Sequence, residues 1–409
     1  MQTSFPKDKI KILLLEGIHP VAIDLFRRAG YSQIESLTQA LSEDELSERL
    51  QDGVHLLGIR SKTQVSERVL EHASKLLAMG CFCIGTNQVA LNAAKERGVV
   101  VFNSPYSNTR SVAELVIAEA IMLLRRIPEK NWAAHEGLWF KEAKGCYEVR
   151  GKTIGIVGYG HIGSQVSVMA EALGMRVIYH DIVPKLPLGN AQNVDSLPEL
   201  LATADVVTLH VPSDESTLLM MNTESIGQMK RGAVLLNLSR GSVVDIEALY
   251  HALRSGHLSG AGIDVFPREP KSKNDFFVSA LQHLPNVLLT PHVGGSTVEA
   301  QENIGRDVAG KLLQYIDRGI SIGSHTVPEI SLPPKHGTHR ILHIHRNVPG
   351  VLFAINRVVS DMGINIEGQY LSTNDRIGYV VFDVAEDISN EALHHLKNVE
   401  HTIKARMLY

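Results

Sequence analysis

From Gly151 to about residue 295, short apolar runs alternate with stretches long enough for helices. Six of these runs are strand candidates, at residues 154–157, 176–180, 206–210, 234–238, 262–265 and 287–289. Strands separated by helices pair in parallel, because each crossover returns the chain to the same end of the sheet. We therefore predict a doubly wound parallel sheet with helices on both faces.

The first hundred residues show the same rhythm, so a second parallel sheet is expected there. Its strand candidates lie at residues 10–15, 54–59, 76–79 and 99–102. A helix pattern at 19–29 ends at Gly30, and longer helix patterns follow at 111–125 and 298–318. The fold class predicted for both regions is α/β, with Rossmann-like or flavodoxin-like sheets.

The end of the chain has a different pattern, which begins after a proline-rich segment at 332–337 with the composition of a linker. Strand, helix, strand, strand, helix and strand candidates follow in that order, at residues 340–345, 351–362, 364–371, 378–384, 390–396 and 402–408. This βαββαβ order is typical of a ferredoxin-like domain. We predict a linker at 333–338 and a third domain at 339–409.

Length, charge and cysteine content exclude several classes of protein. A chain of 409 residues is too long for one compact core, and a net charge of −4 gives no reason to expect a nucleic acid or an anionic membrane as partner. No apolar run reaches the roughly 18 to 20 residues that a membrane helix needs. Cys81, Cys83 and Cys146 fit reduced thiols in a cytoplasmic protein. Cys81 and Cys83 could form a metal clip, but no second Cys or His pair follows closely, so no metal site is expected.

A glycine motif follows the first strand of the 151–295 series. Gly158, Gly160 and Gly163 form a G-x-G-x-x-G between a strand and a helix pattern, and the next strand ends in Asp181. Glycines let backbone N–H groups approach a pyrophosphate at the helix N-terminus, and the Asp181 carboxylate can bind the adenosine ribose. That carboxylate repels a 2′-phosphate and no arginine stands beside it, so NAD is predicted over NADP. A glycine turn without a ligand is the alternative.

Three polar residues come shortly after later strands of this series, where ligands bind in open α/β sheets. They are Arg240, Glu269 and His292. Oxidation of a secondary alcohol needs a base for the hydroxyl proton and a cation for the neighbouring carboxylate, and His292 and Arg240 match these tasks. Glu269 would hold one tautomer of the histidine and raise its pKa. Spacing alone leaves open that all three are ordinary surface residues.

The segments around these residues resemble the signature segments of the D-isomer-specific 2-hydroxy-acid dehydrogenases. They are 236–245, 264–270 and 290–296. The resemblance implies that Arg240, Glu269 and His292 are catalytic. It also implies that NAD contacts a larger set of residues, namely Gly158, Gly160, His161, Ile162, Gly163, Asp181, Leu238, Ser239, Arg240, Asp264, His292, Val293, Gly294 and Gly295. For Asp264, capping of a strand end is the alternative.

The family has a discontinuous substrate-binding domain, which here implies residues 1–107 with 296–332, around an NAD-binding domain at 108–295. The likeness is greatest to bacterial members that oxidise D-3-phosphoglycerate in the first step of L-serine synthesis. A phosphorylated acid carries more negative charge than Arg240 balances, so further cations are expected. Arg60 and Lys62 are the preferred candidates. Lys141, from a neighbouring subunit, is a third; for the two lysines a solvated surface position is the alternative. The resemblance also allows a side activity that reduces 2-oxoglutarate.

The C-terminal domain resembles an ACT domain through residues 343–352, and ACT domains bind amino acids between paired copies. Resemblance to serine-inhibited enzymes assigns contacts with an L-serine effector to His345, Asn347 and Asn365 and implies a homotetramer. Capping of local loops by the two asparagines is the alternative. Around Gly337 the chain departs from the paired glycines of the family, which leaves the strength and cooperativity of serine inhibition open.

Two other functions also stay open. One is oxidation of an unphosphorylated D-2-hydroxy acid such as glycerate. The other is binding without turnover, by an NAD-sensing corepressor or an amino-acid sensor. The set of Arg240, Glu269 and His292 argues against the second, because a binding protein needs no site for hydride transfer.

Overall fold

A computed structural model of the chain describes residues 6–270, 275–334, 339–384 and 389–408. The chain divides into two compact units, Met1–Ser107 with Gln301–Tyr409, and Asn108–Ala300. No helix in the described ranges is long and apolar enough to cross a lipid bilayer. The predicted linker falls partly on residues 335–338, including Gly337, which lie outside the described residues. The domain boundaries given above stay predictions.

The first unit contains a five-stranded parallel sheet in the order β2-β1-β3-β4-β5. Its strands are β1 (Ile12–Leu14), β2 (Ile34–Ser36), β3 (Leu56–Ile59), β4 (Ala78–Cys81) and β5 (Val100–Asn103). The helices between them are α1 (Pro20–Arg28), α2 (Glu43–Gln51), α3 (Glu67–Glu71) and α4 (Leu91–Glu96). Ile12 and Leu14 pack in one apolar cluster and Leu13 in another, because successive side chains point to opposite faces of the sheet.

The second unit contains a seven-stranded parallel sheet in the order β12-β11-β10-β9-β6-β7-β8. Its strands are β6 (Thr153–Val157), β7 (Arg176–His180), β8 (Gln192–Asn193), β9 (Val206–Leu209), β10 (Val234–Asn237), β11 (Gly260–Ile263) and β12 (Val287–Leu289). Its helices are α5 (Thr109–Leu124), α6 (Ile127–His135), α7 (His161–Ala172), α8 (Leu197–Thr203), α9 (Thr223–Gln228) and α10 (Ile246–Arg254). The strand order reverses between β6 and β9, which is where ligands bind in doubly wound sheets.

Helix α11 (Val298–Arg318) leads back to the first unit, and a four-stranded antiparallel sheet follows in the order β14-β15-β13-β16. Its elements are β13 (His339–Arg346), α12 (Val351–Asp361), β14 (Ile366–Thr373), β15 (Ile377–Val384), α13 (Ser389–Lys397) and β16 (Thr402–Leu408). One face of this sheet packs against α12 and α13. The other face shares an apolar cluster with α11 and with strands of the first sheet.

Polar side chains of the C-terminal sheet bind the end of α11. Arg340 is 1% exposed, pairs with Asp383 at 2.7 Å and donates to the carbonyl of Arg318. The hydroxyl of Tyr379 donates to the carbonyl of Gly319 at 2.6 Å. Carbonyl groups at the C-terminal end of a helix have no partner within the helix, so these donors satisfy groups that would otherwise be buried unpaired.

The predicted fold class is confirmed, with two parallel α/β sheets and a C-terminal βαββαβ domain. Strands β2 and β8 were not predicted, because both are short, largely polar edge strands without an apolar run. The strand predicted at 76–79 is formed by Ala78–Cys81 instead. Leu76 is buried ahead of the strand, and apolar character indicates burial rather than ladder hydrogen bonding.

Candidate active site

The turn after β6 depends on glycine at two positions. Gly158 has a φ of +92°, and a Cβ added there would lie 2.8 Å from the carbonyl oxygen of His210. A Cβ on Gly163 would collide with the carbonyl group of Gly158, whereas the space beside Gly160 is open. The chain therefore makes a tight turn with an open cradle at the start of α7.

The groups around this cradle fit NAD. Helix α7 begins with Gly160 as its N-cap and His161 and Ile162 in its first turn, and the glycine supplies no side-chain cap. N–H groups at the N-terminus of a helix bind pyrophosphate groups in folds of this kind. The two carboxylate oxygens of Asp181 accept hydrogen bonds from the N–H groups of Tyr159 (2.8 Å) and Val183 (2.9 Å). Each oxygen keeps a lone pair that can accept from a ribose hydroxyl.

Two stacked tyrosines hold the loop after Asp181. The ring centroids of Tyr159 and Tyr179 are 3.9 Å apart. The Tyr179 hydroxyl donates to the carbonyl of Lys185 at 2.9 Å, and the N–H of Leu188 donates to the Tyr159 hydroxyl at 3.2 Å. The loop beside the acidic residue is thus fixed by the protein itself. Neither tyrosine could be assigned this role from the sequence, because the contact joins two separate strands and their loops.

Arg240 follows β10 in a turn shaped by Asn237. The buried Asn237 amide accepts from the N–H (3.1 Å) and hydroxyl (2.8 Å) of Ser239 and donates to the carbonyl of Arg240 (3.0 Å). Leu238 and Ser239 are buried. The guanidinium of Arg240 donates to the carbonyl of Ser239 at 2.7 Å and forms no ion pair with a described residue. A guanidinium is always charged, so Arg240 remains available to an anionic substrate group.

Asp264, directly after β11, organises the loop that carries His292. It is 1% exposed, and its carboxylate accepts from the Thr290 hydroxyl (2.6 Å) and the N–H groups of Val293 (2.8 Å) and Gly294 (2.9 Å). Its carbonyl accepts from the N–H of His292 at 2.8 Å, and His292 has a φ of +54°. A side-chain-bearing residue in this left-handed region is uncommon, and the bonds to Asp264 hold it there.

His292 and Glu269 form the pair that the sequence predicts. Nδ1 of His292 lies 2.9 Å from Oε2 of Glu269, so the free nitrogen is Nε2. This hydrogen bond raises the pKa of His292 above its ordinary value, against the opposing effect of burial. Burial acts to raise the pKa of Glu269, but the hydrogen bond and charge of His292, together with the N–H of Phe266 and the charge of Arg240, lower it. The arrangement gives a histidine base with a fixed tautomer.

Glu119 is a buried carboxyl that the sequence analysis missed. It lies on α5, is 1% exposed, and neither carboxyl oxygen has a hydrogen-bond partner among the described residues. Burial, followed by the charge of Asp264, raises its pKa to about 8. Glu119 lies on the same helix face as buried Val112, Val116 and Leu123. A glutamate on an apolar helix face is the sequence signal that could have identified this residue.

The cations expected to bind the substrate phosphate lie in both units. Arg60 and Lys62 follow β3 in the first unit, and Lys141 is exposed after α6 in the second. None of the three forms an ion pair with a described residue. Cys81, Cys83 and Cys146 are free thiols, and no cluster of metal-ligating side chains occurs within the described ranges.

The three effector candidates lie on the C-terminal sheet and its loops. His345 is 1% exposed, burial lowers its pKa to about 4, and its Nδ1 has no partner in the described part of the chain. The Asn347 amide donates to the carbonyl of Asn374 at 2.6 Å, and Asn365 is exposed. No hydrogen bond joins the three candidates within the described residues, and their role as an effector site stays a prediction.

Two parts of the chain match known families. Residues 117–294 match the D-isomer specific 2-hydroxyacid dehydrogenase, NAD binding domain. Residues 341–404 match the AHAS small subunit-like ACT domain. The NAD cofactor and the ACT domain predicted from the sequence are thereby confirmed.

The whole chain is similar to curated relatives. It is 54% identical over 408 residues to D-3-phosphoglycerate dehydrogenase of Haemophilus influenzae, covering 100% of this chain and 99% of the relative. It is also 54% identical over 410 residues to D-3-phosphoglycerate dehydrogenase of Escherichia coli, covering 100% of both. D-lactate dehydrogenase from Aquifex aeolicus, solved in complex with NAD and lactic acid, is 25% identical with a TM-score of 0.66 and covers 78% of this chain and 100% of that one.

Proposed function

This chain belongs to the D-isomer-specific 2-hydroxyacid dehydrogenase family and is an NAD-dependent oxidoreductase, and on that premise we propose that it oxidises D-3-phosphoglycerate to 3-phosphohydroxypyruvate. The observation that carries the proposal is whole-length identity of 54% to two relatives that bear the name of this activity. The reaction is the first step of L-serine biosynthesis. The cytoplasmic location expected from the cysteine content is part of the proposal.

The proposed chemistry assigns one task to each of the three catalytic candidates. NAD, when bound, supplies the acceptor for the hydride that leaves C2 of the substrate. His292 takes the hydroxyl proton on Nε2, because its Nδ1 is bonded to Glu269. Glu269 stabilises the imidazolium that forms, and Arg240 binds the substrate carboxylate. Because His292 must begin neutral, oxidation is expected to accelerate as the pH rises through its raised pKa.

We assign the substrate phosphate to Arg60 and Lys62, with Lys141 of a neighbouring subunit as a third contact. The carboxylate and phosphate of the substrate together carry more negative charge than one guanidinium balances. Arg60 and Lys62 are two residues apart in one loop, and neither side chain forms an ion pair with a described acidic residue. The same cations would accept the second carboxylate of 2-oxoglutarate, so reduction of that acid is proposed as a side activity.

The test is NADH absorbance with D-3-phosphoglycerate in alkaline buffer containing a trap for the oxo-acid product. Turnover is expected, and His292→Ala should abolish it. His251→Ala, which removes an exposed histidine of α10, is the matched control and should keep full activity. Turnover of D-glycerate but not of D-3-phosphoglycerate would replace the proposed substrate with an unphosphorylated acid. Absence of NADH loss with 2-oxoglutarate would remove the side activity.

We further propose that the ACT domain binds L-serine in a homotetramer and that serine inhibits the enzyme. The neutral His345, whose Nδ1 lacks a described partner, can accept a hydrogen bond from the ammonium group of an amino acid. Asn347 and Asn365 supply amide groups for its carboxylate. Serine should lower turnover, and His345→Ala should weaken that inhibition at unchanged activity without serine. Light scattering after size exclusion tests the tetramer, and a monomer would refute binding between paired copies.

A further inference from the structure

Glu16 has an unusual backbone conformation two residues after the end of β1. It is a non-glycine residue with a φ of +63°, and Gly17 follows with the same φ. The side chain is 9% exposed. The N–H of Glu16 donates to the carbonyl of Gln39 at 3.1 Å, and that of Gly17 donates to the carbonyl of Leu37 at 3.0 Å. These bonds hold a conformation that is unfavourable for a residue with a side chain, so the position of the carboxylate has a structural cause.

The Glu16 carboxylate binds the backbone of the loop that carries the two cations. Its Oε1 accepts from the N–H groups of Arg60 (3.1 Å) and Thr63 (2.9 Å), and its Oε2 accepts from the N–H of Lys62 (3.0 Å). Converging N–H groups of this kind bind anions in many proteins. Here the anion is a carboxylate of the chain itself, so a substrate anion has to be bound by side chains of this loop.

Gln88 holds the same loop from its carbonyl side. Its side-chain Nε2 donates to the backbone carbonyl of Arg60 at 2.6 Å, and its backbone carbonyl accepts from the N–H of Val65 at 2.8 Å. Arg60 is half-buried and Lys62 is exposed. Because Glu16 uses its oxygens on backbone N–H groups, it does not form an ion pair with either cation. Both positive charges therefore stay available while the loop that carries them is fixed.

We propose that Glu16 is the positioning residue of an anion-recognition loop, residues 60–63, and that it thereby sets the preference for a phosphorylated over an unphosphorylated acid. The inference rests on the proposed function, in which Arg60 and Lys62 bind the substrate phosphate. Glu16 itself does not touch substrate. Loss of its carboxylate frees three N–H groups, and the loop then rearranges to satisfy them. The two cations lose their shared geometry, while Arg240 and His292 keep theirs.

Two variants test the positioning role, and a third is the control. Glu16→Gln places an amide NH2 where a carboxylate oxygen now accepts, so at least one loop N–H faces a donor. Gln88→Met removes the bond to the Arg60 carbonyl while keeping the size of the side chain, and it serves if Glu16→Gln does not fold. Glu35→Gln on β2, which weakens an exposed ion pair with Arg49 in the same unit, is the matched control.

The measurement is steady-state kinetics with D-3-phosphoglycerate and with D-glycerate, together with the KM for NAD and the melting temperature. For Glu16→Gln the KM for D-3-phosphoglycerate should rise roughly ten-fold, the effect of losing about one charge-assisted hydrogen bond. The kcat, the KM for NAD and the kinetics with D-glycerate should change by no more than about two-fold. Gln88→Met should also raise the KM for D-3-phosphoglycerate. Glu35→Gln should change none of these kinetic constants.

An unchanged preference for the phosphorylated substrate in folded Glu16→Gln overturns the inference. So does a parallel change in the constants for NAD, D-glycerate and D-3-phosphoglycerate, because that pattern indicates a general loss of structure. If Glu16→Gln does not fold, unchanged kinetics of Gln88→Met have the same meaning. Arg60→Gln and Lys62→Gln separate the two hypotheses. If they leave the KM for D-3-phosphoglycerate unchanged, the proposed phosphate site itself is wrong; if they raise it and Glu16→Gln does not, only the positioning role fails.

Discussion

The buried carboxyl of Glu119 gives the sharpest prediction about stability. Its pKa is about 8 in the folded protein against an ordinary value of 4.5, because burial and the charge of Asp264 both disfavour ionisation. Between these values the folded chain keeps the proton and the unfolded chain loses it. The contribution of the protonated Glu119 to the free energy of unfolding is therefore fully present below about pH 4.5. It is lost as the pH rises to about 8.

The size of this effect follows from the two pKa values. Each pH unit between them costs the folded state about 1.4 kcal/mol, so the cost above pH 8 is about 5 kcal/mol. Glu119→Gln keeps the shape of the side chain and removes its ionisation, so the cost of burying its amide does not depend on pH. The variant should gain stability over the natural chain as the pH rises from 5 to 8. For a unit of this size the gain corresponds to a relative rise in melting temperature of roughly 10 °C or more.

Thermal melts followed by circular dichroism at half-unit steps from pH 5 to pH 9 measure this gain. Glu114→Gln is the matched control, because Glu114 lies on the same helix in an exposed ion pair with Arg110. Its melting curve should stay parallel to that of the natural chain. A constant difference in melting temperature between Glu119→Gln and the natural chain at every pH would refute a carboxyl that is protonated when folded.

Three further predictions concern single side chains. Glu269→Gln should lower kcat/KM by roughly 10- to 100-fold, the effect of one charge-assisted hydrogen bond. It should also move the acid limb of the pH profile of kcat/KM to lower pH, because the pKa of His292 falls without the carboxylate. An unmoved acid limb would contradict the pairing of Glu269 with His292. Asp383→Ala should destabilise the chain by roughly 3–5 kcal/mol in thermal melts, since Arg340 is left as a buried unpaired charge. If the variant is as stable as the natural chain, water reaches the Arg340 guanidinium. Asp181→Ser should raise the KM for NAD and lower that for NADP; unaltered cofactor preference would remove Asp181 from the ribose site.

Much of the arrangement could be predicted because topology places it. Parallel strands have their carboxyl ends at one edge of a sheet, so Asp181, Arg240 and His292 were expected at the same edge from their place after apolar runs. They do lie after β7, β10 and β12 of one sheet. The glycine motif was informative for a similar reason, since a strand before it and a helix after it can be recognised from periodicity.

The hydrogen bonds that orient these residues could not be predicted in the same way. Asn237 shapes the Arg240 turn, and a left-handed backbone presents His292, yet neither feature leaves a periodic pattern. Glu16 binds a loop that begins 44 positions later in the chain. Contacts of this kind depend on which loops the finished sheet brings together, and local sequence carries no record of that pairing.

The family resemblance implies that Asp264 contacts NAD, with capping of a strand end as the alternative, and both stay predictions. Asp264 is 1% exposed, and its carboxylate already accepts three hydrogen bonds from the loop of His292. A carboxylate offers about four acceptor sites, so little capacity remains for a ligand. Glu16 likewise uses its carboxylate on backbone N–H groups. In both cases a buried acid after one strand shapes the loop that follows the neighbouring strand of the sheet. The residues left with free nitrogens, His292 in one loop and Arg60 in the other, are those that meet the substrate in the proposed function.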